Sequence, residues 1–429
     1  MDNSTVVVTG IGVISPVGLT RETSWRALIR GESGIDHIDS FDTEGLETRI
    51  AGEVEGFEPT DFMSRKEARH MDRFAQLAVA AALEAIEHAQ LDINGDNAER
   101  VSVIVASGIG GIITLSEQIG VMDAKGARRI SPFLVPMMLP DMASGQVSMK
   151  LGAKGPNFAV ISACASGGDS IGIASEFIKS NRVDIVLAGG SEAAICPIGV
   201  AGFNACHALS KNNSSPKQAS KPFDKNRDGF VLSEGAAVLV LESRESANKR
   251  GVNILATLAG YGSTADANHI TQPAPGGEGG VRAMNEAIVN SEINANQIDY
   301  INAHGTSTPL NDKFETMAMK TVFGTEINNI AISSTKSMTG HLLGASGAVE
   351  AAISRRALFL WLSRVPEFRR STDVAGTVGS GCYGHPYGRR RSTASGTINV
   401  SVGPGAPPGQ LFLGIEQIVV QLGPCDSDR

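Results

Sequence analysis

Apolar residues in the first half of the chain alternate between short strand-like runs and longer segments with helical spacing. The apolar runs at 5–9, 101–106 and 184–188 are rich in β-branched residues and predict buried strands. Residues 71–89 carry apolar side chains at positions 74, 77, 78, 81, 82 and 86, the spacing of an amphipathic helix. Strands that alternate with helices predict an α/β fold whose sheets are covered by helices on both faces.

The same order restarts in the second half. Its predicted strands and helix are 254–260, 279–290, 299–303 and 330–334. In addition, 157–178 and 329–353 share one pattern, in which a strand leads through a turn of small residues into a glycine-rich helix. We therefore expect two similar halves, 1–251 and 252–429, that bring two equivalent turns together.

Cys164 lies at the first of these turns. Residues 158–162 are apolar and predict a strand, 163–168 are small, and 170–178 return to helical spacing. The free N–H groups and the positive end of a helix dipole at such a place favour thiolate over thiol. The pattern thus indicates a nucleophilic cysteine, although a buried structural cysteine would fit the same local sequence.

Two histidines occupy comparable positions in the second half. His304 follows the apolar run 300–303, and His341 follows the segment STKSMTG. A helix N-terminus disfavours a protonated ring, so a neutral imidazole there can donate a hydrogen bond to a developing negative charge. The alternative for each histidine is that it only caps a helix or packs in the core.

Charged residues surround the second turn. Lys336 lies five residues before His341, Glu350 lies nine residues after it, and Asp312 follows the loop 306–308. A lysine near a cleft could form a Schiff base, but the carboxylates favour a lysine that organises charge.

Composition narrows the class of protein. The 429 residues, 42% of them hydrophobic, can bury a large core, and they contain neither a signal-peptide pattern nor an apolar run of membrane-spanning length. A net charge of −8 argues against general nucleic-acid binding. Five cysteines without CxxC spacing indicate neither a disulfide framework nor a zinc site. HExxH, GxSxG and P-loop motifs are absent around the candidate residues.

Three longer motifs carry a family resemblance. SACASG around Cys164, INAHGTSTPLND around His304, and SSTKSMTGHLLGASGAVEA around Lys336 and His341 resemble the β-ketoacyl-acyl carrier protein synthases, closest to their type II branch. The matches VVVTGIGVISPVG, RKEARHMDRFAQ, ASGIGG and KPFDKNRDGFVLSEGA follow in family order, so the resemblance spans about residues 5–354. It implies a thiolase-like layered αβαβα fold and a cytoplasmic homodimer. The implied reaction is decarboxylating Claisen condensation of an acyl thioester with malonyl carrier protein in fatty-acid elongation.

The resemblance also implies roles for individual residues. Cys164 would carry the acyl group, and His304 with His341 would stabilise the enolate left by loss of carbon dioxide. Electrostatic support would come from Lys336, Glu350 and Asp312. The remaining matched positions are Thr306 and Thr308 for the phosphopantetheine arm, and Ile109 and Phe203 for the acyl pocket.

The expected partner is an acidic acyl carrier protein, which would supply the phosphopantetheine arm, so no resident cofactor or metal is expected. Lys66 and Arg69 match the family's docking surface, whereas His70 and His207 replace basic residues that relatives often carry. Docking should therefore be sensitive to salt and use a reduced basic patch.

Three other functions share parts of this pattern. A polyketide or specialised-lipid ketosynthase would use the same chemistry. A non-catalytic partner of the chain-length-factor type usually lacks the nucleophile, which is present here as Cys164. A coenzyme A thiolase would use a second catalytic cysteine, and Cys196, Cys206, Cys382 and Cys425 have no matching context.

The family pattern ends after Ser354. All 13 lysines precede residue 355, and the last 75 residues contain nine arginines, 11 glycines and six prolines, without a motif of FGFGG type. In the family that motif supplies a backbone N–H that partners the cysteine N–H in the oxyanion hole. Segment 355–429 is thus atypical, and the change favours a shifted reading frame over divergence that begins inside one helix. We expect missing core strands, although 411–422 has the composition to fill one strand position.

Overall fold

The computed structural model describes residues 5–268 and 273–363 and two further strands at 395–402 and 415–422. Nine strands form one mixed sheet in the order β4-β5-β6-β1-β7-β11-β10-β8-β9, and β2 and β3 pair by themselves. The strands are β1 Val6–Ile14, β2 Asp36–His37, β3 Ile50–Ala51, β4 Val101–Ala106, β5 Ile185–Glu192, β6 Gly235–Ser243, β7 Ala256–Thr264, β8 Ile298–Asn302, β9 Ala331–Ser333, β10 Ser395–Val402 and β11 Ile415–Leu422.

Helices cover this sheet. They are α1 Arg21–Ile29, α2 Arg65–Ala68, α3 Arg73–His88, α4 Ile112–Lys125, α5 Leu134–Met138, α6 Met142–Leu151, α7 Ser166–Lys179, α8 Pro197–Ala205, α9 Arg244–Arg250, α10 Glu278–Asn290, α11 Pro309–Phe323, α12 Lys336–Thr339 and α13 Ser346–Ser363. In the part of the chain that the structure describes, no helix is both long and apolar enough to cross a bilayer.

Successive residues of a strand face opposite sides of the sheet and pack in two different hydrophobic cores. In β6, Ala237, Leu239 and Leu241 face the core that contains α7 and α13, whereas Val238 and Val240 face α3 and α6. Helices α7 and α13 also contact strands of the second half, and α10 and α11 cover that half from outside. This alternation produces the layered α/β arrangement that the sequence predicts.

The first strand is longer than predicted. The sequence predicts a strand over 5–9, but β1 continues through Gly10 and Gly12 to Ile14. A Cβ on Gly10 would lie 2.3 Å from the carbonyl oxygen of Ala85, and one on Gly12 would lie 1.9 Å from that of Ala81. These glycines therefore let α3 pack directly on the strand, which explains a glycine pattern that does not fit a nucleotide site.

Two predictions about strands were wrong, one for the run before Cys164 and one for the C-terminal segment. Residues 158–162 form no strand in the described chain, since only Asn157 makes a bridge, to Val103. The expectation of missing core strands was also wrong, because β10 pairs in parallel with β8 and β11 pairs antiparallel with β7. The segment 403–414, which connects these two strands, lies outside the described residues.

Candidate active site

The cysteine turn is built from small residues that tolerate a tight backbone. Cys164 lies in a 3₁₀ turn, Ala163–Ala165, that leads directly into α7, and Ala163 has a left-handed φ of 55°. The Ser166 hydroxyl accepts the N–H of Ser162 at 2.9 Å and donates to the carbonyl of Ala163 at 2.6 Å. These bonds fix the turn and leave Cys164 2% exposed.

Burial dominates the chemistry of the Cys164 thiol. Loss of solvent raises its pKa to about 12, and the nearby Lys336 cation opposes only part of that rise. A backbone N–H at the turn lowers the pKa of the thiol, as expected, but burial outweighs it and favours the protonated thiol. The thiol must lose its proton when a substrate enters.

His341 is held with one ring nitrogen towards this thiol. Its Nε2 lies 3.1 Å from the Sγ of Cys164, and its Nδ1 accepts the N–H of Leu343 at 3.3 Å. An Nδ1 that accepts is unprotonated, so the proton of the neutral ring lies on Nε2. Burial, followed by the charge of Lys336, holds the pKa of His341 well below its usual range. The ring is thus neutral and donates from Nε2.

His304 reaches the same point from β8. Its Nδ1 lies 3.4 Å from the Nζ of Lys336, an ammonium that can only donate, so Nε2 of His304 carries the proton. That Nε2 is buried and has no hydrogen-bond partner among the described residues. The two imidazole rings lie 5.2 Å apart, edge to face. Burial, then Lys336 and then His341, holds the pKa of His304 well below its usual range.

Lys336 is part of a buried ion pair. Its Nζ pairs with the Glu350 carboxylate, and the two side chains are 1% and 3% exposed. Asp312 does not join this pair. It accepts the backbone N–H of Phe223 at 2.7 Å and lies 3.5 Å from Arg227 Nε, so it supports the neighbouring loop instead.

Glu315 is a site residue that sequence reasoning missed. Its carboxyl group accepts the N–H of His304 at 2.7 Å and that of Gly305 at 2.8 Å, which fixes the backbone that carries the histidine. Burial raises its pKa to about 8. Its spacing could have indicated this position, because Glu315 lies three residues after Asp312 on α11 and therefore on the same face of the helix.

The residues expected to bind substrate fall into two groups. Thr306 and Thr308 are buried in the loop after His304, and their hydroxyl oxygens lie 2.9 Å apart. Ile109 and Phe203 pack against the apolar cluster that includes Cys164. The structure thus places the two threonines in the loop that follows His304 and the two apolar residues in the cluster that contains Cys164.

The Phe203 ring is connected to the His341 ring through one intermediate aromatic ring. Phe203 contacts Phe230 at 5.4 Å between ring centroids, and Phe230 contacts His341 at 5.2 Å.

Lys66 and Arg69 lie elsewhere, on the exposed surface of α2 and at its end. Neither forms a salt bridge with another described residue. The adjacent His70 stacks on Phe133 at 3.7 Å between ring centroids. This stack joins α2 to the segment that carries the exposed Arg128 and Arg129.

Together, Cys164, His304 and His341 place one thiol and two imidazole nitrogens within 4.8 Å of one another. This spacing could hold a metal ion, but the Lys336 ammonium beside His304 opposes a second cation. A nucleophile faced by two neutral N–H donors is suited to a reaction that forms an acyl thioester and then an oxyanion.

Comparison with protein-family models matches nearly all of the described chain. Residues 3–247 match "Beta-ketoacyl synthase, N-terminal domain", and residues 255–359 match "Beta-ketoacyl synthase, C-terminal domain". The second match ends close to Ser354, where the family pattern was seen to stop.

Curated relatives and solved structures agree with this family. The 3-oxoacyl-[acyl-carrier-protein] synthase 2 of Staphylococcus aureus (strain N315) is 50% identical over 352 residues, 82% of this chain and 85% of the relative. The Synechocystis enzyme of the same name is 47% identical over 358 residues, 83% and 86% of the two chains.

A β-ketoacyl synthase structure from Burkholderia phymatum superposes with a TM-score of 0.80 at 32% identity, covering 98% of this chain and 99% of the other. A type II polyketide ketosynthase in complex with its acyl-carrier protein gives 0.80 at 30% identity, with the same coverage.

Proposed function

The chain belongs to the β-ketoacyl synthase family, and we propose that it is a 3-oxoacyl-[acyl-carrier-protein] synthase that elongates fatty acyl chains. The observation that carries the proposal is the convergence of one ring nitrogen of His304 and one of His341 on the Cys164 thiol, within 4.8 Å of one another. This arrangement supplies a nucleophile and two donors for an oxygen that becomes negative.

In the first half-reaction, Cys164 Sγ attacks the thioester carbonyl of an acyl carrier protein. The carrier sulfur leaves and takes up the thiol proton, so Cys164 holds the acyl group as a new thioester. Ile109 and Phe203 would line the pocket that receives the acyl chain, since both pack against the Cys164 cluster.

In the second half-reaction, malonyl carrier protein loses carbon dioxide, and the bonding electrons form an enolate. His304 and His341 donate from Nε2 to the enolate oxygen, and Lys336 with Glu350 keeps His304 in the required tautomer. The enolate carbon then attacks the acyl carbonyl. The Cys164 sulfur leaves, regains a proton, and frees 3-oxoacyl carrier protein.

The arm that carries both substrates is phosphopantetheine, so the protein needs no resident cofactor. Thr306 and Thr308 offer two buried hydroxyls beside His304 to that arm. Lys66 and Arg69 provide exposed positive charge for an acidic carrier protein. A reactive thiol also needs a reducing compartment, which favours the cytoplasm.

A homodimer would cover an exposed apolar surface. Segment 158–161 belongs to no described strand, and Ile161 in it is 47% exposed. Ile119 and Met122 on α4 and Met149 on α6 are also exposed. Exposed apolar side chains of this kind fit burial against a second copy of the chain. Sedimentation should give a dimer, and Ile161→Glu should give a monomer.

The proposed activity is tested by mixing the protein with acyl and malonyl carrier proteins and measuring 3-oxoacyl carrier protein by mass spectrometry. Product that requires Cys164 supports the proposal. Absence of product together with absence of thiol acylation would reject it. Acceptance of poly-β-keto chains in preference to saturated chains would instead favour a polyketide ketosynthase.

A further inference from the structure

Glu192, the last residue of β5, is a buried charged residue that takes no part in the proposed reaction steps. Its side chain is completely buried, and its carboxylate accepts four hydrogen bonds. One oxygen binds the Ser107 hydroxyl at 2.7 Å and the N–H of Ile109 at 3.3 Å. The other binds the N–H of Gly108 at 2.8 Å and that of Gly344 at 3.0 Å.

The hydrogen-bond pattern fits an ionised carboxylate. All four partners donate, and the Ser107 hydroxyl is itself the acceptor for Gly110 N–H at 2.8 Å, which leaves its proton for Glu192. A protonated Glu192 would turn its O–H towards backbone N–H groups that can only donate, except where it faced the Ser107 hydroxyl. Burial raises the pKa of Glu192, and the hydrogen bonds from Ser107, Gly344, Gly108 and Ile109 oppose that rise.

These bonds connect two parts of the site that come from different halves. Ile109 belongs to the loop after β4 and forms part of the acyl-pocket wall. Gly344 belongs to the turn after His341, in which Leu343 N–H fixes the histidine ring. A Cβ on Gly344 would lie 2.3 Å from the N atom of Gly108, so the two backbones are in direct contact beside the carboxylate.

We propose that Glu192 is a positioning residue that couples the Ile109 wall of the acyl pocket to the turn that orients His341. The inference rests on the proposed acylation of Cys164. Glu192 also contributes one of the charges that act on the thiol, together with Lys336 and Glu350. The neutral His304 and His341 rings are the other titratable groups that lie close to the Cys164 thiol among the described residues.

The negative charge of Glu192 gives a second, independent readout, which is the ionisation of the Cys164 thiol. A negative charge beside Cys164 makes its thiolate less favourable, and Glu192 contributes to the raised pKa of that thiol. Glu192→Gln removes the charge and leaves at least one N–H donor facing an amide NH₂ group. Acyl transfer should therefore become slower while the thiol becomes easier to ionise.

The experiment compares the native chain with Glu192→Gln and a matched control, Glu242→Gln. Glu242 is equally buried but lies at the opposite end of the β5–β6 pair, opposite Ile185. We would measure the rate of Cys164 acylation by butyryl and dodecanoyl carrier proteins, and the pH midpoint of alkylation by iodoacetamide.

Glu192→Gln should slow dodecanoyl transfer roughly 10-fold, the effect of a buried hydrogen bond left unmade. Butyryl transfer should fall less, because a short chain depends less on the pocket wall. The alkylation midpoint should move to lower pH. The Glu242→Gln control should change neither the ratio of the two rates nor the midpoint.

Ser107→Ala provides a second variant that keeps the charge. It should slow dodecanoyl transfer in the same direction without moving the alkylation midpoint. Unchanged dodecanoyl transfer in Glu192→Gln, or in Ser107→Ala if the glutamine variant does not fold, overturns the positioning role. If the native chain is alkylated but never acylated, the proposed function fails, whereas the alkylation midpoints still test the Glu192 charge.

Discussion

His341 Nε2 lies 3.1 Å from Cys164 Sγ although the two residues are 177 positions apart in the chain. Cys164 belongs to the N-terminal family domain and His341 to the C-terminal one. Each residue stands in or beside a 3₁₀ turn that leads into a long helix, Ala163–Ala165 before α7 and Leu343–Ala345 before α13. The site therefore exists only when the two family domains are packed together.

Covalent acylation should occur at Cys164. After incubation with an acyl carrier protein or cerulenin, peptide mass spectrometry should locate the adduct on this residue. The partly exposed Cys206 is the natural control, because it lies in the same apolar cluster without a histidine donor. An adduct that persists in Cys164→Ala would reject the assignment.

The two histidines should act after acylation. His304→Ala and His341→Ala should each reduce malonyl decarboxylation roughly 10²-fold or more, because each removes a donor used by the enolate. Acyl uptake by Cys164 should survive in both variants. The measurement is release of carbon dioxide from malonyl carrier protein, with acylation followed separately. Normal decarboxylation in both variants would remove this role.

Glu315 should make stability depend on pH. Its pKa is raised from 4.5 to about 8 by burial. The folded state thus binds the proton more tightly than the unfolded state. Its contribution is complete below about pH 4.5 and is lost as pH rises through about 8, which would lower the free energy of unfolding by a few kcal/mol.

Urea unfolding at a series of pH values measures this contribution. Glu315→Gln, which imitates the neutral side chain, should flatten the pH dependence between these limits. The exposed Glu55→Gln serves as the control. An unchanged slope in Glu315→Gln would show that the carboxyl group does not titrate in this range.

Carrier-protein docking should depend on the basic residues of α2. Lys66→Glu combined with Arg69→Glu should weaken carrier affinity, and the loss should be greatest at low salt. A control with the same change of charge is Lys249→Glu combined with Lys313→Glu, at exposed positions on α9 and α11. Affinity can be measured by surface plasmon resonance. Equal effects of the two double variants would argue against a docking site on α2.

The chain should condense slowly because its tail lacks a glycine-rich FGFGG-type segment. Loss of one oxyanion donor lowers the rate on the order of 10²- to 10³-fold. A hybrid that joins 1–354 to a family-type ending should recover that factor in 3-oxoacyl product formation. Equal rates for the native chain and the hybrid would show that the tail supplies the donor.

Local sequence was sufficient to predict the side chains that the structure brings together at the candidate site. The turn at Cys164 and the strand end at His304 are encoded by contiguous residues, and so is the Lys336–His341 segment. Strand 101–106 was predicted at its observed bounds for the same reason. The contacts of Glu192 and Glu315 could not be read in this way, because burial by distant elements decides which N–H groups face them.

Two errors have the same physical origin. A run such as 158–162 has strand composition, but a strand requires hydrogen bonds to a neighbour, and the pairing with β4 stops at the bridge between Asn157 and Val103. Conversely, the composition of 395–402 gave little indication of its position between β8 and β11, where pairing on both sides fixes its backbone.

The position of β10 and β11 has a consequence for the order of folding. They lie between β7 and β8, inside the sheet, although they come from the last part of the chain. During synthesis, β7 and β8 are made long before the strands that join them. Because β7 already pairs with β1, it is β8 and β9 that can join the rest of the sheet only after residue 422 has been made. Until then β7 has an open edge, at which a chaperone or a second nascent chain could bind.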